Sequence, residues 1–287
     1  MCALDVDGVL ETNPLGFPIL TPTSALALRV LIQHGFRPLL ATGRSLEDVR
    51  DRCRAYHLAG GVAEYGAVLY NHVSGTVEEL LSSADCRSMD RLRAELSAIQ
   101  GIFIDENYHY AVRAYQKDYA GNRRSLSPDD VSLVLEKSRL DLPVRIIPGD
   151  HQTDFMVASI DKGTGLRCLL EEIDGDSFAE RTPLAFAVGD TVSDLPMFSL
   201  SRQSFIPGHA DPSLDRPQIH RLAGGYQSGL AQAVEVVLGH KPGACPLCKG
   251  APQSRERGLF LELLSAQEGG HWRMLRNAVK LSASVRR

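Results

Sequence analysis

Long apolar runs are missing from this chain. No stretch approaches the ~20 residues needed to span a bilayer, and the N-terminus has no charged segment followed by a long apolar one. Neither a membrane anchor nor a secretory leader is expected. An excess of positive charge is missing as well. Against 31 Lys and Arg stand 35 Asp and Glu, for a formal net charge of −4, so no broad basic field favours nucleic acid. Cysteine is sparse: six are scattered over 287 residues, a pattern that argues against a disulfide framework in a chain without a secretion signal. The cytoplasm is the expected compartment. Internal repeats and low-complexity tracts are also lacking. What remains is 44% hydrophobic and 23% charged, ordinary for a globular protein of one large domain or two smaller ones.

Helix and strand signals alternate along the first 71 residues. "SALALRVLIQHG" (24–35) has helical apolar spacing and stops at a glycine. "FRPLLATGR" (36–44) reads as a buried strand running into a turn. "SLEDVRDRCRAYHL" (45–58) opens on the N-cap residue Ser45, with Asp48 three places on. "GVAEYGAVLYN" (61–71) reads as strand and turn. This order predicts a doubly wound α/β core with a parallel sheet. The middle of the chain differs. "SMDRLRAELSAI" (88–99) and "SPDDVSLVLEKS" (127–138) look helical. Around them, "GIFIDENYHYAVRAY" (101–115) and "PVRIIPGDHQTDFMVAS" (143–159) alternate like antiparallel strands. An inserted α+β domain is expected there. The first pattern then returns with a helix at 161–173, a strand at 183–190 and a helix start at 194–201.

Four stretches carry chemistry: "DVDGVL" (5–10), "LLATGRS" (39–45), "DKGTGL" (161–166) and "VGDTVSDLP" (188–196). Each falls near a strand's C-terminal end or at a helix start, where open α/β sheets bind ligands. Together they offer carboxylates, a hydroxyl, a lysine and helix N-termini, a set suited to an anion plus a divalent cation. A carboxylate such as Asp5 can attack phosphorus and split ester hydrolysis into two steps. A second carboxyl, Asp7, can protonate the leaving oxygen and then take a proton from water. Mg²⁺ prefers oxygen ligands. Asp5 and Asp190 are its expected ligands, with the Asp7 carbonyl as a third and Asp194 bound directly or through water. Thr42, Gly43 and nearby N–H groups can hold phosphoryl oxygens, and Lys162 can neutralise their charge. A lysine at a helix start is poorly placed unless an anion binds there. Arg44 either contacts substrate or pairs with Asp48.

These four motifs, in this order, resemble those of the haloacid dehalogenase superfamily of phosphohydrolases. The resemblance covers roughly residues 1–235. It implies that Asp5 is the nucleophile, Asp7 the general acid/base, Thr42 and Lys162 phosphate binders, and Asp190 and Asp194 the acidic metal pair. The position of the insertion is similar to that of members with a C2-type cap. It implies a core over 1–72 and 160–240, a cap over 73–159 and an extension over 241–287. "EYGA" (64–67) is similar to the "ENGA" of the Cof-like and sucrose-phosphatase-like branches, with Tyr65 in place of Asn. Members usually carry more strand before the nucleophile than Met1–Leu4 provides, so a short first strand or a start further upstream is expected.

The resulting expectation is a Mg²⁺-dependent phosphatase acting on a small phosphate ester, a sugar phosphate or a phosphoglycolate-like acid. A phosphomutase using the same intermediate and a non-catalytic module on the same fold are the rivals. Specificity is expected from the cap, with His109, Arg113, Lys117, Asn122, Arg123 and Arg124 as candidates beside Arg44. "CPLC" (245–248) is a single Cys-x-x-Cys. A structural zinc needs four ligands, and the spacing to His240 and His271 matches no zinc pattern, so two reduced, inert thiols are expected.

Overall fold

The computed structural model describes residues 1–12, 18–138, 140, 142–149, 151–175 and 183–249. In chain order the first elements are β1 (Cys2–Leu4), α1 (Pro22–Gln33), β2 (Pro38–Ala41), α2 (Leu46–Tyr56), β3 (Gly60–Ala63), β4 (Val68–Asn71) and β5 (Val77–Glu79). Next come α3 (Ser83–Ser97), β6 (Phe103–Ile104), β7 (Val112–Lys117), β8 (Arg123–Arg124), α4 (Pro128–Ser138), β9 (Val144–Pro148) and β10 (Thr153–Val157). The last are α5 (Lys162–Asp174), β11 (Leu184–Val188), α6 (Leu195–Phe198), β12 (Ser201–Ile206), β13 (Ile219–Arg221) and α7 (Tyr226–Leu238). No helix among the described residues is long and apolar enough to cross a membrane. The described residues fall into two compact units, one within Met1–Leu40 and Ala179–Arg287, the other within Ala41–Phe178.

The first unit is built on parallel strands in the order β13-β12-β11-β1-β2. Leu4 of β1 lies opposite Leu40 on one side and Val188 on the other. β1 has only three residues, but all three are fully buried, as befits a strand flanked on both edges. The chain leaves β1 for β2 on one side, while β11 and its successors extend the sheet on the other. This makes the β1/β11 boundary a topological switch point. Phe186 anchors the apolar centre, with Phe36 and Phe205 edge-on at 5.7 and 6.3 Å. Truncating so buried a ring costs about 3–5 kcal/mol. Thr21 caps α1 by accepting from the Ser24 N–H, with Pro22 as the first helical residue.

The second unit combines an antiparallel β3-β4-β5 meander with a four-stranded antiparallel sheet, β6-β7-β10-β9, to which β8 adds by pairing with β7. α3 and α4 cover that sheet through Met89, Leu92, Leu96 and Val134, packed with Val112 and Phe155. Ser82 and Asp85 form a reciprocal capping box at the start of α3. Ser45 caps α2 as its sequence predicts, accepting from Asp48 N–H. A parallel α/β sheet and an α+β module are thus both present, the class of architecture read from the alternation of signals. β12, β13 and α7 are additions that the periodicity did not single out. "GLFLELLSAQ" and His271 lie outside the described residues.

Candidate active site

Asp5 follows the last residue of β1, and Asp190 follows β11 by two. Asp5 N–H donates to the Val188 carbonyl at 2.9 Å, continuing the β1/β11 ladder one step past the strand. The carboxylates of Asp5, Asp190 and Asp194 present oxygens that all lie within 4.8 Å of one another. Asp5 and Asp194 are buried. At such a separation each ionised pair repels by roughly 3 kcal/mol at an effective dielectric constant of ~20. An all-oxygen, anionic, largely buried set of this kind fits a hard divalent cation.

The surrounding backbone is shaped to these carboxylates. A Cβ on Gly8, whose φ is +79°, would sit 1.9 Å from Asp190 Oδ2. One on Gly189 would sit 2.5 Å from Asp194 Cγ. Only glycine fits at either place. Asp194 Oδ2 accepts the N–H groups of Asp190 and Thr191 at 3.0 and 2.9 Å, which folds the loop after β11 back on itself. Val6 N–H donates to Asp5 Oδ1 at 2.8 Å and fixes that carboxylate. The Asp7 side chain is exposed, and Asp7 is not one of the three carboxylates that gather within 4.8 Å of one another.

His209 belongs to this site and escaped the sequence reading. Its Nδ1 accepts from Tyr226 N–H at 3.0 Å, which leaves Nε2 as the N–H end, 3.1 Å from Asp190 Oδ2. The Tyr226 ring stacks on the imidazole at 3.6 Å. One histidine in "PGHAD", after a strand not read as such, gave no signal by spacing.

The second unit holds the other motif residues. Thr42 follows β2 and is fully buried; its hydroxyl accepts from Arg44 N–H at 3.2 Å. Glu64 and Tyr65 both take left-handed conformations, φ 47° and 62°. Asn tolerates this region better than Tyr, so the Tyr65 backbone is strained on the order of 1 kcal/mol. Its ring covers Gly43, where a Cβ would meet it at 2.3 Å, and its hydroxyl donates to Asp154 at 2.6 Å. Burial and the Asp154 charge push the Tyr65 phenol well above its ordinary range, so it stays a donor. Arg113 grips Asp154 with two bonds of 2.7 and 2.8 Å and reaches the Gly43 carbonyl at 3.4 Å. Lys162 is buried in the first turn of α5, whose N-cap Asp161 accepts from Thr164 N–H at 2.8 Å. Arg123 is exposed, 3.4 Å from Asp105 and stacked over Tyr115. Asp118 ties the 117–124 turn through Ala120 and Asn122 N–H groups.

The fold, a parallel α/β sheet with an α+β module, is similar to that of solved haloacid dehalogenase-like hydrolases. Among solved structures the chain is similar to a Thermoplasma acidophilum protein, at TM-score 0.62 and 18% identity, over 83% of this chain and 97% of that one. It is similar to a haloacid dehalogenase-like hydrolase from Bacteroides thetaiotaomicron, at 0.60 and 18%, over 82% and 98%. It is also similar to the sucrose-phosphatase of Synechocystis sp. PCC6803, solved with sucrose and phosphate, at 0.58 and 15%, over 82% and 96%. No protein-family model matches the sequence, and no curated protein does.

Proposed function

We propose that the chain is a cytoplasmic Mg²⁺-dependent phosphatase that acts on a small phosphorylated metabolite, a sugar phosphate or a phosphoglycolate-like acid. The observation that carries this reading is the meeting of Asp5, Asp190 and Asp194 at the carboxyl ends of β1 and β11, the switch point of the sheet. In this mechanism Asp5 attacks phosphorus and forms an aspartyl-phosphate while Asp7 gives its proton to the leaving alkoxide. Asp7 then takes a proton from water as that water attacks the phosphorus, which releases phosphate and frees Asp5. Asp5, Asp190, Asp194 and the Asp7 carbonyl would hold Mg²⁺, which when bound neutralises the carboxylates and the phosphoryl oxygens. His209 holds Asp190 in place.

Thr42, Gly43 and Lys162 take the role of phosphoryl binders on motif resemblance. A buried lysine at a helix N-terminus favours this role, because a bound anion offsets its repulsion from the helix dipole. Residues 73–159 act as the C2-type cap and residues 1–72 with 160–240 as the catalytic core. Arg44, Arg113 and Arg123 are the substrate candidates, with Arg113 pre-set by Asp154. The bound sucrose and phosphate in the Synechocystis enzyme favour a sugar phosphate. Six free thiols accord with a reducing compartment.

The test is phosphate release from a panel of phosphorylated metabolites, with and without Mg²⁺. Release that requires Mg²⁺ is the expected result, and the best substrate names the class. A folded protein that releases none from any compound overturns the reading. An isomerised sugar phosphate in place of free phosphate would instead mark a mutase.

A further inference from the structure

We infer that His34, His240, Cys245 and Cys248 form a structural zinc site. One ligand atom from each lies within 4.8 Å of the other three, and all four residues belong to the first unit. A tetrahedral zinc with two sulfurs and two nitrogens has edges of about 3.3–3.8 Å. His34 Nε2 stands 3.2 Å from Cys245 Sγ, and the two sulfurs stand 3.5 Å apart. A disulfide would hold those sulfurs at about 2.05 Å, so both thiols are free to ligate.

The two imidazoles are set as ligands are. His34 Nδ1 lies 2.8 Å from the Val30 carbonyl, and His240 Nδ1 lies 3.0 Å from the Lys241 carbonyl. A carbonyl can only accept, so each Nδ1 carries the proton and each Nε2 keeps its lone pair. Backbone-fixed tautomers of this kind orient metal-bound histidines. The sulfurs are supported in the same way. Gly243 N–H donates to Cys248 Sγ at 3.1 Å, and the N–H groups of Leu247 and Cys248 reach Cys245 Sγ. His34 is the C-cap of α1, and His240 comes directly after Gly239, the C-cap of α7. The negative ends of two helix dipoles therefore favour a cation here. Binding releases the two thiol protons, so Zn²⁺ with two thiolates and two neutral imidazoles carries no net charge. A set of two sulfurs and two nitrogens selects zinc over magnesium. The ion would staple the end of α1 to the chain after α7.

The experiment is metal analysis of the full chain, purified without added metal. About one zinc per chain that survives dialysis is expected. It should be lost in the double variant Cys245→Ser with Cys248→Ser, weakened in His34→Ala, and retained in Asp190→Asn. Should the double variant fail to fold, Co²⁺ substitution of the wild type decides the matter through sulfur-to-cobalt charge-transfer absorption. A folded wild type with no retained zinc and no such absorption overturns the site. Zinc that leaves with Asp190→Asn but stays in the double cysteine variant overturns it too. Neither readout needs turnover, so failure here is distinct from failure of the phosphatase reading.

Discussion

Two clusters of metal-ligating side chains share one compact unit and differ in every respect that chemistry uses to choose a metal. Asp5, Asp190 and Asp194 present hard oxygens beside glycines that leave no room for a Cβ. His34, His240, Cys245 and Cys248 present two nitrogens and two sulfurs, the donor set of a closed four-ligand site. The first suits a cation that keeps waters and exchanges with substrate, the second one that stays. One cluster stands where strands end and ligands enter. The other stands where two helices end. Donor softness and placement agree in each case, and together they separate the proposed reaction centre from the proposed staple.

The sharpest way to break this contrast is Asp5→Asn. Removing the proposed nucleophile should lower phosphate release by about three orders of magnitude or more, with thermal unfolding close to wild type. Retained activity in that variant would remove Asp5 from the chemistry and leave the acidic cluster as mere structure. Metal exchange comes next. Dialysis into Mg²⁺-free buffer should stop turnover, and added Mg²⁺ should restore it, while the zinc content stays constant throughout. If both metals left together, the two clusters would not differ as their donors say. A smaller effect is expected from His209→Asn. The carboxylate it holds would lose a fixed partner, and kcat/KM should fall about 10- to 100-fold with a raised Mg²⁺ requirement. An unchanged Mg²⁺ titration would reduce His209 to packing against Tyr226.

The two clusters also differ in how far they could be read before folding. The acidic one was legible because its residues sit in short linear motifs whose spacing matches strand ends and turns. Asp7, two residues on from Asp5, has an exposed side chain and is not one of the three carboxylates that gather. The thiol cluster was half legible. "CPLC" was visible, but its decisive partner is His34, more than 200 residues away at the end of α1. No spacing rule spans that distance; only the packing of helix ends brings the pair together. His209 was hidden for a similar reason, since it lies on a loop after β12, a strand carrying Arg202 and Gln203 on exposed positions. The elements themselves were read well where a cap and the helical spacing agreed, as at Ser45.

A buried carboxylate held chiefly by backbone N–H groups sharpens the contrast from the other unit. Glu64 sits in the left-handed turn beside Tyr65 and is almost fully buried. Its oxygens accept the N–H groups of His109, Tyr110 and Ala111, the last two at 2.7 Å. Those donors favour the ionised form, while burial opposes it, and burial is the larger influence: the Glu64 carboxyl is raised above its ordinary range. A raised folded-state value means that folding favours the protonated form. Glu64 therefore contributes stability below the ordinary glutamate value of about 4.3, and that contribution is lost as pH rises through its folded-state value. Glu64→Gln cannot ionise, so the difference in unfolding midpoint between wild type and variant should change over that interval and be flat above it. The variant should also be less stable at low pH by about 1–2 kcal/mol, because one amide oxygen cannot serve three donors as a carboxyl does. Urea titrations of both proteins from acid to neutral pH would measure this. A difference that instead grows in favour of wild type as pH rises would show that the three N–H groups outweigh burial, and that a peptide nest can hold a buried carboxylate ionised.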